Sequence, residues 1–176
     1  VGNIGFLDFS SFTGMEQKGA GSYKLVYRAT YNHPKAGATA VALLQIRESG
    51  SQVTMQKALQ EIKVFHELGL HDNLLRLCGL TVEPEVGDIC LVTEYAPRGS
   101  LDQVLSTAHD NNVICSPLVQ LAAAAQICNG MAHLALHQVV HRDLAARNVL
   151  VFSWDHNDQT SIHLKIADYG LAVMAS

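Results

Sequence analysis

His141-Arg142-Asp143-Leu144-Ala145-Ala146-Arg147-Asn148 is the one place in this chain where charged and polar residues crowd together between two apolar runs. Before it, Ser116 to about His137 reads as a helix, because Ser116 offers an N-cap hydroxyl and Pro117 suits the first helical position. After it, Val149-Leu150-Val151-Phe152 is a short apolar run of the kind a buried strand makes. A loop between these elements would hold Asp143 and Asn148 rigidly. The plainest reading of the octet is a capped loop carrying an Arg-Asp ion pair.

Downstream, Trp154 to Ser161 is a polar insert, and Ile162-His163-Leu164-Lys165-Ile166 alternates like a strand. It leads into Ala167-Asp168-Tyr169-Gly170. Asn148 and Asp168 are thus separated by a β-hairpin, which would return both to one place. On the upstream helix, Leu121, Ala124, Ala125, Cys128, Met131 and Leu134 are expected to form the apolar core face. His133, His137 and His141 recur every four residues, a spacing that can bring metal ligands together. No carboxylate or cysteine completes a tetrahedron, however, and His141 would have left the helix for the loop.

The first half of the chain is β-rich. Gly19-Ala20-Gly21-Ser22-Tyr23-Lys24 between two strand-like segments predicts a hairpin whose turn exposes backbone N–H groups to a phosphate. A second β-rich run spans Ala40 to Ile46. From about Gln52 to Leu68, the residues Leu59, Ile62, Phe65 and Leu68 fall at helical spacing, with Gly69 as the stop. Leu74 to Leu80 and Ile89 to Thr93 read as strands around the acidic turn Glu83 to Asp88. Residues 1–13 show no sustained period and are treated as a lead-in.

Composition narrows the function. A chain of 176 residues, 48% hydrophobic and 16% charged, can build one domain or two small lobes. A net charge of −4 argues against broad nucleic-acid binding and against direct contact with an anionic membrane. Four cysteines without a Cys-x-x-Cys pair suggest reduced thiols and a cytoplasmic setting, or the cytosolic part of a larger protein. No apolar run approaches the roughly 18 residues of a spanning helix. The N-terminus has neither a basic leader nor a starting Met, so a piece of a longer chain is expected.

The octet resembles the catalytic loop of protein kinases, in which the Asp accepts the proton of the substrate hydroxyl and the Asn holds magnesium. Carried over, these roles fall to Asp143 and Asn148, while Asp168 of Asp-Tyr-Gly would be the second magnesium ligand, with Tyr where the family usually has Phe. Ala145 and Arg147 make the loop similar to the tyrosine-kinase form, which implies tyrosine as acceptor. The Gly-rich turn resembles the loop that covers ATP, with Gly19, Gly21 and the closing Val26 in place. Val41-Ala42 resembles the start of the third kinase strand. Glu94 to Gly99 resembles the hinge, where backbone groups near Glu94 and Ala96 would bind adenine behind a Thr93 gatekeeper. Ala42 and Leu150 complete the implied nucleotide contacts.

One departure is sharp. Two residues after Ala42 the family carries a lysine for the phosphates, and here stands Leu44. Either the chain resembles a pseudokinase, a nucleotide-binding or allosteric scaffold without phosphoryl transfer, or the lysine has moved. Lys24 occupies the place of the third glycine, as in the with-no-lysine kinases, and Glu61 would then be its helix partner. The resemblance implies a two-lobed α+β fold, with a first lobe of antiparallel sheet and one helix at 14–95 and a partial, mainly helical lobe at 96–176. It also implies ATP and Mg2+ as cofactors and a protein substrate as partner. Asp143, Arg147, Lys24 and Glu61 are the expected catalytic set. Because Ser176 comes six residues after Gly170, the activation segment and later helices are expected to be missing, leaving the isolated 176 residues inactive or poorly soluble.

Overall fold

Alternation of apolar side chains along Gly37–Ile46 (β4) buries Val41 and Leu43 on one face, and the rest of the first half assembles around that strand. The computed structural model describes residues 4–21, 24–47 and 50–175. It has an α+β architecture in two compact units. Residues up to His66 and Arg76–Tyr95 form one; Glu67–Leu75 and the residues from Ala96 onward form the other.

The first unit is a six-stranded sheet and one helix. Its strands are Gly5–Phe6 (β1), Phe12–Ala20 (β2), Lys24–His33 (β3), β4, Leu77–Val82 (β5) and Ile89–Glu94 (β6), in the order β1-β5-β6-β4-β3-β2. Every pairing is antiparallel except β1 with β5. Phe12, Ala29, Val41, Leu43, Cys90 and Val92 make its core. The lead-in is structured near this core: Asp8 caps a 3-10 turn at Phe9–Ser11, and Leu7 N–H donates to Leu80 O at 2.7 Å.

Gln52–Leu68 forms α1, and Gly69 follows it with φ +62°, the left-handed conformation that glycine adopts freely. Its buried face is Ala58, Glu61, Val64, Phe65 and Leu68. Leu59, expected inside, is 56% exposed. The i, i+3, i+4 arithmetic puts the carboxylate of Glu61 on the inner stripe and Leu59 off it.

The second unit contains Leu101–Asp110 (α2), Pro117–Leu136 (α3), and short strands Val139–Val140 (β7), Val149–Ser153 (β8), His163–Ile166 (β9) and Val173–Met174 (β10). The pairs β8·β9 and β7·β10 are antiparallel. Ser116 caps α3, its side chain accepting from Val119 N–H. The face of α3 is corrected: Val119, Ala123, Gly130 and Leu134 are buried, whereas Leu121 is 67% exposed and Ala124, Ala125 and Cys128 are also exposed. A helix apolar nearly all round gives periodicity no phase to read. Trp154, expected in a polar insert, is buried in the core with Leu101, Val119, Val151 and Leu164.

Residues 67–75 group with the second unit because hydrogen bonds bind them there. Ile166 N–H donates to Asn73 O at 2.9 Å, and Leu75 N–H donates to Ile166 O at 2.8 Å. The Asn73 amide donates to Leu164 O at 3.0 Å and accepts from Asn129 Nδ2 at 2.9 Å. No helix is long and apolar enough to cross a membrane among the described residues.

Candidate active site

In the first unit, β3 begins at Lys24, which pairs in register with Ile46 of β4. Lys24 is 8% exposed and Glu61 of α1 only 2%. The Lys24 ammonium lies 2.7 Å from Oε1 and 2.6 Å from Oε2 of Glu61. Burial makes this arrangement mutually obligatory, since either charge alone would be stranded away from water. Leu44 lies opposite Val26 on one side and Leu91 on the other, an apolar rung of the sheet.

The remaining first-unit candidates sit on the same sheet. Gly19 pairs with Val26 across the β2·β3 hairpin, and Gly21 N–H donates to Lys24 O at 2.7 Å. Ser22 and Tyr23 of the Gly-rich turn lie outside the described residues. Ala42 is in register with Thr93, whose hydroxyl donates to Glu94 O at 3.3 Å. Glu94 also accepts at Oε1 from Arg76 N–H at 2.9 Å.

In the second unit, β7 delivers the chain into the loop and a 3-10 turn at Ala146–Asn148 closes it into β8. Arg142 takes a left-handed φ of +68°. His141, 1% exposed, donates from Nε2 to Ala167 O at 3.0 Å and accepts at Nδ1 from Asp143 N–H at 3.3 Å. The expected ion pair exists, with Arg147 Nη2 2.6 Å from Asp143 Oδ1. Asn148 Nδ2 donates to Asp143 O at 2.8 Å and to Asp143 Oδ2 at 2.9 Å. The Arg147 hydrogen bond, seconded by that of Asn148, holds the Asp143 carboxyl below the ordinary carboxylate value.

Asp168 comes back to this loop through its neighbour. Ala167 N–H donates to Asn148 O at 2.8 Å while Ala167 O accepts from His141, so the residue before Asp168 is clamped at both ends. Asp168 itself is exposed and left-handed, φ +63°, an uncommon state for a non-glycine residue. Tyr169 behind it is fully buried, donating to Ile166 O at 2.9 Å and meeting the His141 ring edge-on at 5.7 Å. Leu150 lies on β8 opposite Lys165, and Ala96 O accepts from Gly99 N–H at 3.2 Å.

Two participants were underweighted by sequence reasoning. His141 opens the octet and is one of the three spaced histidines, but its role as the loop's clamp emerges only from the fold. Asn73 carries no sequence signal of its role; only the fold reveals its amide as a junction. In the histidine series, His133 packs against His71 and His137, with centroids 4.5 Å apart in each case, and among the described residues no group of three His, Cys, Asp or Glu side chains is placed to hold a metal.

A family model described as protein tyrosine and serine/threonine kinase matches residues 12–176. The chain is 33% identical over 159 residues to the tyrosine-protein kinase transmembrane receptor Ror of Drosophila melanogaster, covering 90% of this chain and 22% of that protein. It is 36% identical over 138 residues to the tyrosine-protein kinase JAK3 of Rattus norvegicus, covering 75% of this chain and 11% of that protein. It is 32% identical over 163 residues to the probable serine/threonine-protein kinase pats1 of Dictyostelium discoideum, 88% of this chain and 5% of that protein. The first relatives are thus spanned over only 22%, 28% and 19% of their lengths. Since the matched region takes in the sheet with its buried Lys24, the clamped loop and the Asp168 turn, the chain belongs to the protein tyrosine and serine/threonine kinase family.

Proposed function

We propose that this chain carries the nucleotide-handling and proton-accepting residues of an ATP-dependent protein kinase acting on tyrosine. The observation that carries the reading is the buried Lys24–Glu61 ion pair. A kinase needs a cation for the nucleotide phosphates, held in place by a helix carboxylate. Leu44 offers none, and Lys24 meets the glutamate that such a cation requires.

The second-unit side chains suit a hard cation. Asn148 spends its amide hydrogens on Asp143, which leaves Oδ1 as the atom it can offer, and Asp168 presents an exposed carboxylate. Oxygen donors of this kind are what magnesium takes. Asn148 and Asp168 would hold the ion, which when bound neutralises charge on the ATP phosphates. Asp143, kept ionised by Arg147, accepts the proton of the substrate hydroxyl, and Arg147 and Asn148 fix the direction of its two oxygens. Gly19, Gly21, Val26, Ala42, Thr93, Glu94, Ala96 and Leu150 serve the nucleotide. Tyrosine is favoured over serine by Ala145 and Arg147, and by relatives named as tyrosine kinases.

Leu44 supports a second reading, a scaffold that holds nucleotide without transferring phosphate. Calorimetry of Mg·ATP binding, with autophosphorylation measured on a polypeptide that continues through the rest of the domain, separates them. Lys24→Met is expected to weaken Mg·ATP binding tenfold or more, and Asp143→Asn to keep binding while abolishing phosphotyrosine formation. Mg·ATP affinity unchanged by Lys24→Met ends the relocated-lysine assignment. Intact binding without any transfer in the unmodified protein selects the scaffold.

A further inference from the structure

A cleft of about 370 Å3 opens in the second unit between α2 and the segment after β8, and none of the residues assigned above lines it. Its apolar lining is Val104, Val113 and Trp154. Its polar lining is Arg98, Gln103, Thr107, Asp155, His156 and Asn157. Its volume is at the lower end of the range of small-molecule sites, and apolar lining combined with polar groups is their usual make-up.

The hydrogen bonds around the cleft decide what it can recognise. The Trp154 indole N–H, which can only donate, points to His156 Nδ1 at 3.1 Å. That nitrogen therefore accepts, and the neutral ring carries its proton on Nε2 as a donor. His156 is held as a whole: Cys115 Sγ lies 3.3 Å from the same Nδ1, and Ser116 N–H donates to His156 O at 2.9 Å. The carboxylate in the lining, Asp155, has one oxygen engaged by its own loop, Oδ1 accepting from Asn157 N–H at 2.8 Å and Asp158 N–H at 3.3 Å. Gln103 Oε1 is likewise taken, by Ser100 N–H at 3.2 Å. Among the residues lining the cleft, the Arg98 guanidinium and the His156 Nε2–H can only donate, and the Asn157 amide, the Gln103 amide and the Thr107 hydroxyl can donate as well.

We propose that this cleft binds an anionic oxygen group, a carboxylate or a phosphate monoester, borne on a small apolar or aromatic body that packs on Trp154. Arg98 supplies the charge and a planar fork matched to such oxygens, while Val104 and Val113 cover the body. The site stands independently of phosphoryl transfer.

Trp154 is the single tryptophan of the chain, so its emission reports on the cleft directly. Phenyl phosphate and benzoate are titrated into the purified chain, after a cooperative thermal unfolding transition has shown it folded, with benzamide as the neutral isostere. A saturable change in Trp154 emission with either anion, and at least tenfold weaker response to benzamide, is expected; whichever anion binds tighter identifies phosphate or carboxylate as the natural group. Arg98→Met, at an exposed position that leaves the core alone, should weaken anion binding at least tenfold. Asn157→Ala tests the donor set without touching the indole and should weaken it severalfold. No saturable change with either anion overturns the proposal. So does benzamide binding as tightly as benzoate, or an Arg98→Met affinity equal to that of the unmodified chain.

Discussion

Burying an ammonium costs several kcal/mol unless an opposite charge meets it in good geometry, and at Lys24 the Glu61 carboxylate does so with both oxygens. Removing one partner strands the other. Lys24→Met or Glu61→Gln alone is therefore expected to lower stability by roughly 3 kcal/mol, whereas Lys24→Met combined with Glu61→Leu, which fills the space with apolar atoms, should cost well under the sum. Denaturant unfolding of the three variants measures the coupling; additive losses would mean the charges do not depend on one another. The double variant also separates structure from chemistry, because it should fold yet fail to hold Mg·ATP. That Lys24 and Glu61 meet could be read from the chain, since a cation vanishes at 44 and another appears one strand away at 24. The posture of Asn148 could not. Nothing in the order of residues says that its amide turns both hydrogens toward Asp143, because that depends on the 3-10 turn placing residue 148 over residue 143.

At the scale of elements, sequence reading succeeds where a pattern has edges. The extent of α1 is bounded by an amphipathic stripe and by Gly69, and β6 by its apolar run before the hinge-like residues. It fails for α3, whose apolar residues wrap the helix, so that phase is set by a backbone approach and not by hydropathy. Gly130 marks that approach. A Cβ there would lie 2.8 Å from Asn73 O and 2.9 Å from Ile166 Cδ1. Asn73 O is itself fixed by the Ile166 N–H, so the neighbour cannot yield cheaply. Gly130→Ala gains up to about 1 kcal/mol of helix propensity but meets an overpacking cost of about 1–3 kcal/mol. The clash should win, lowering the thermal midpoint by several degrees. A midpoint raised by Gly130→Ala would show that α3 can move away from the 67–75 turn without loss.

For the molecule as a whole, the same turn links folding to pH. His71 accepts from Asn73 N–H at 3.1 Å and packs against His133, whose Nε2 donates to Leu68 O at 2.9 Å; the His137 ring also lies 4.5 Å from that of His133. Burial, then the neighbouring His133, push the His71 pKa below its ordinary 6.5, with Asp72 pulling it up and Lys165 adding to the depression. In the unfolded chain, His71 takes up a proton as pH falls through about 6.5, while the folded chain resists until a lower pH. The unfolded state therefore binds more protons in that interval, and stability rises with pH across it. Acidifying the medium from pH 7.5 to 5.5 should thus lower the thermal midpoint, and His71→Gln should remove part of that loss by deleting one proton-binding difference while keeping a side chain able to accept from Asn73 N–H. Thermal melts at matched ionic strength, pH 7.5 against 5.5, give the comparison directly. If the two proteins lose the same number of degrees, His71 carries none of the pH dependence.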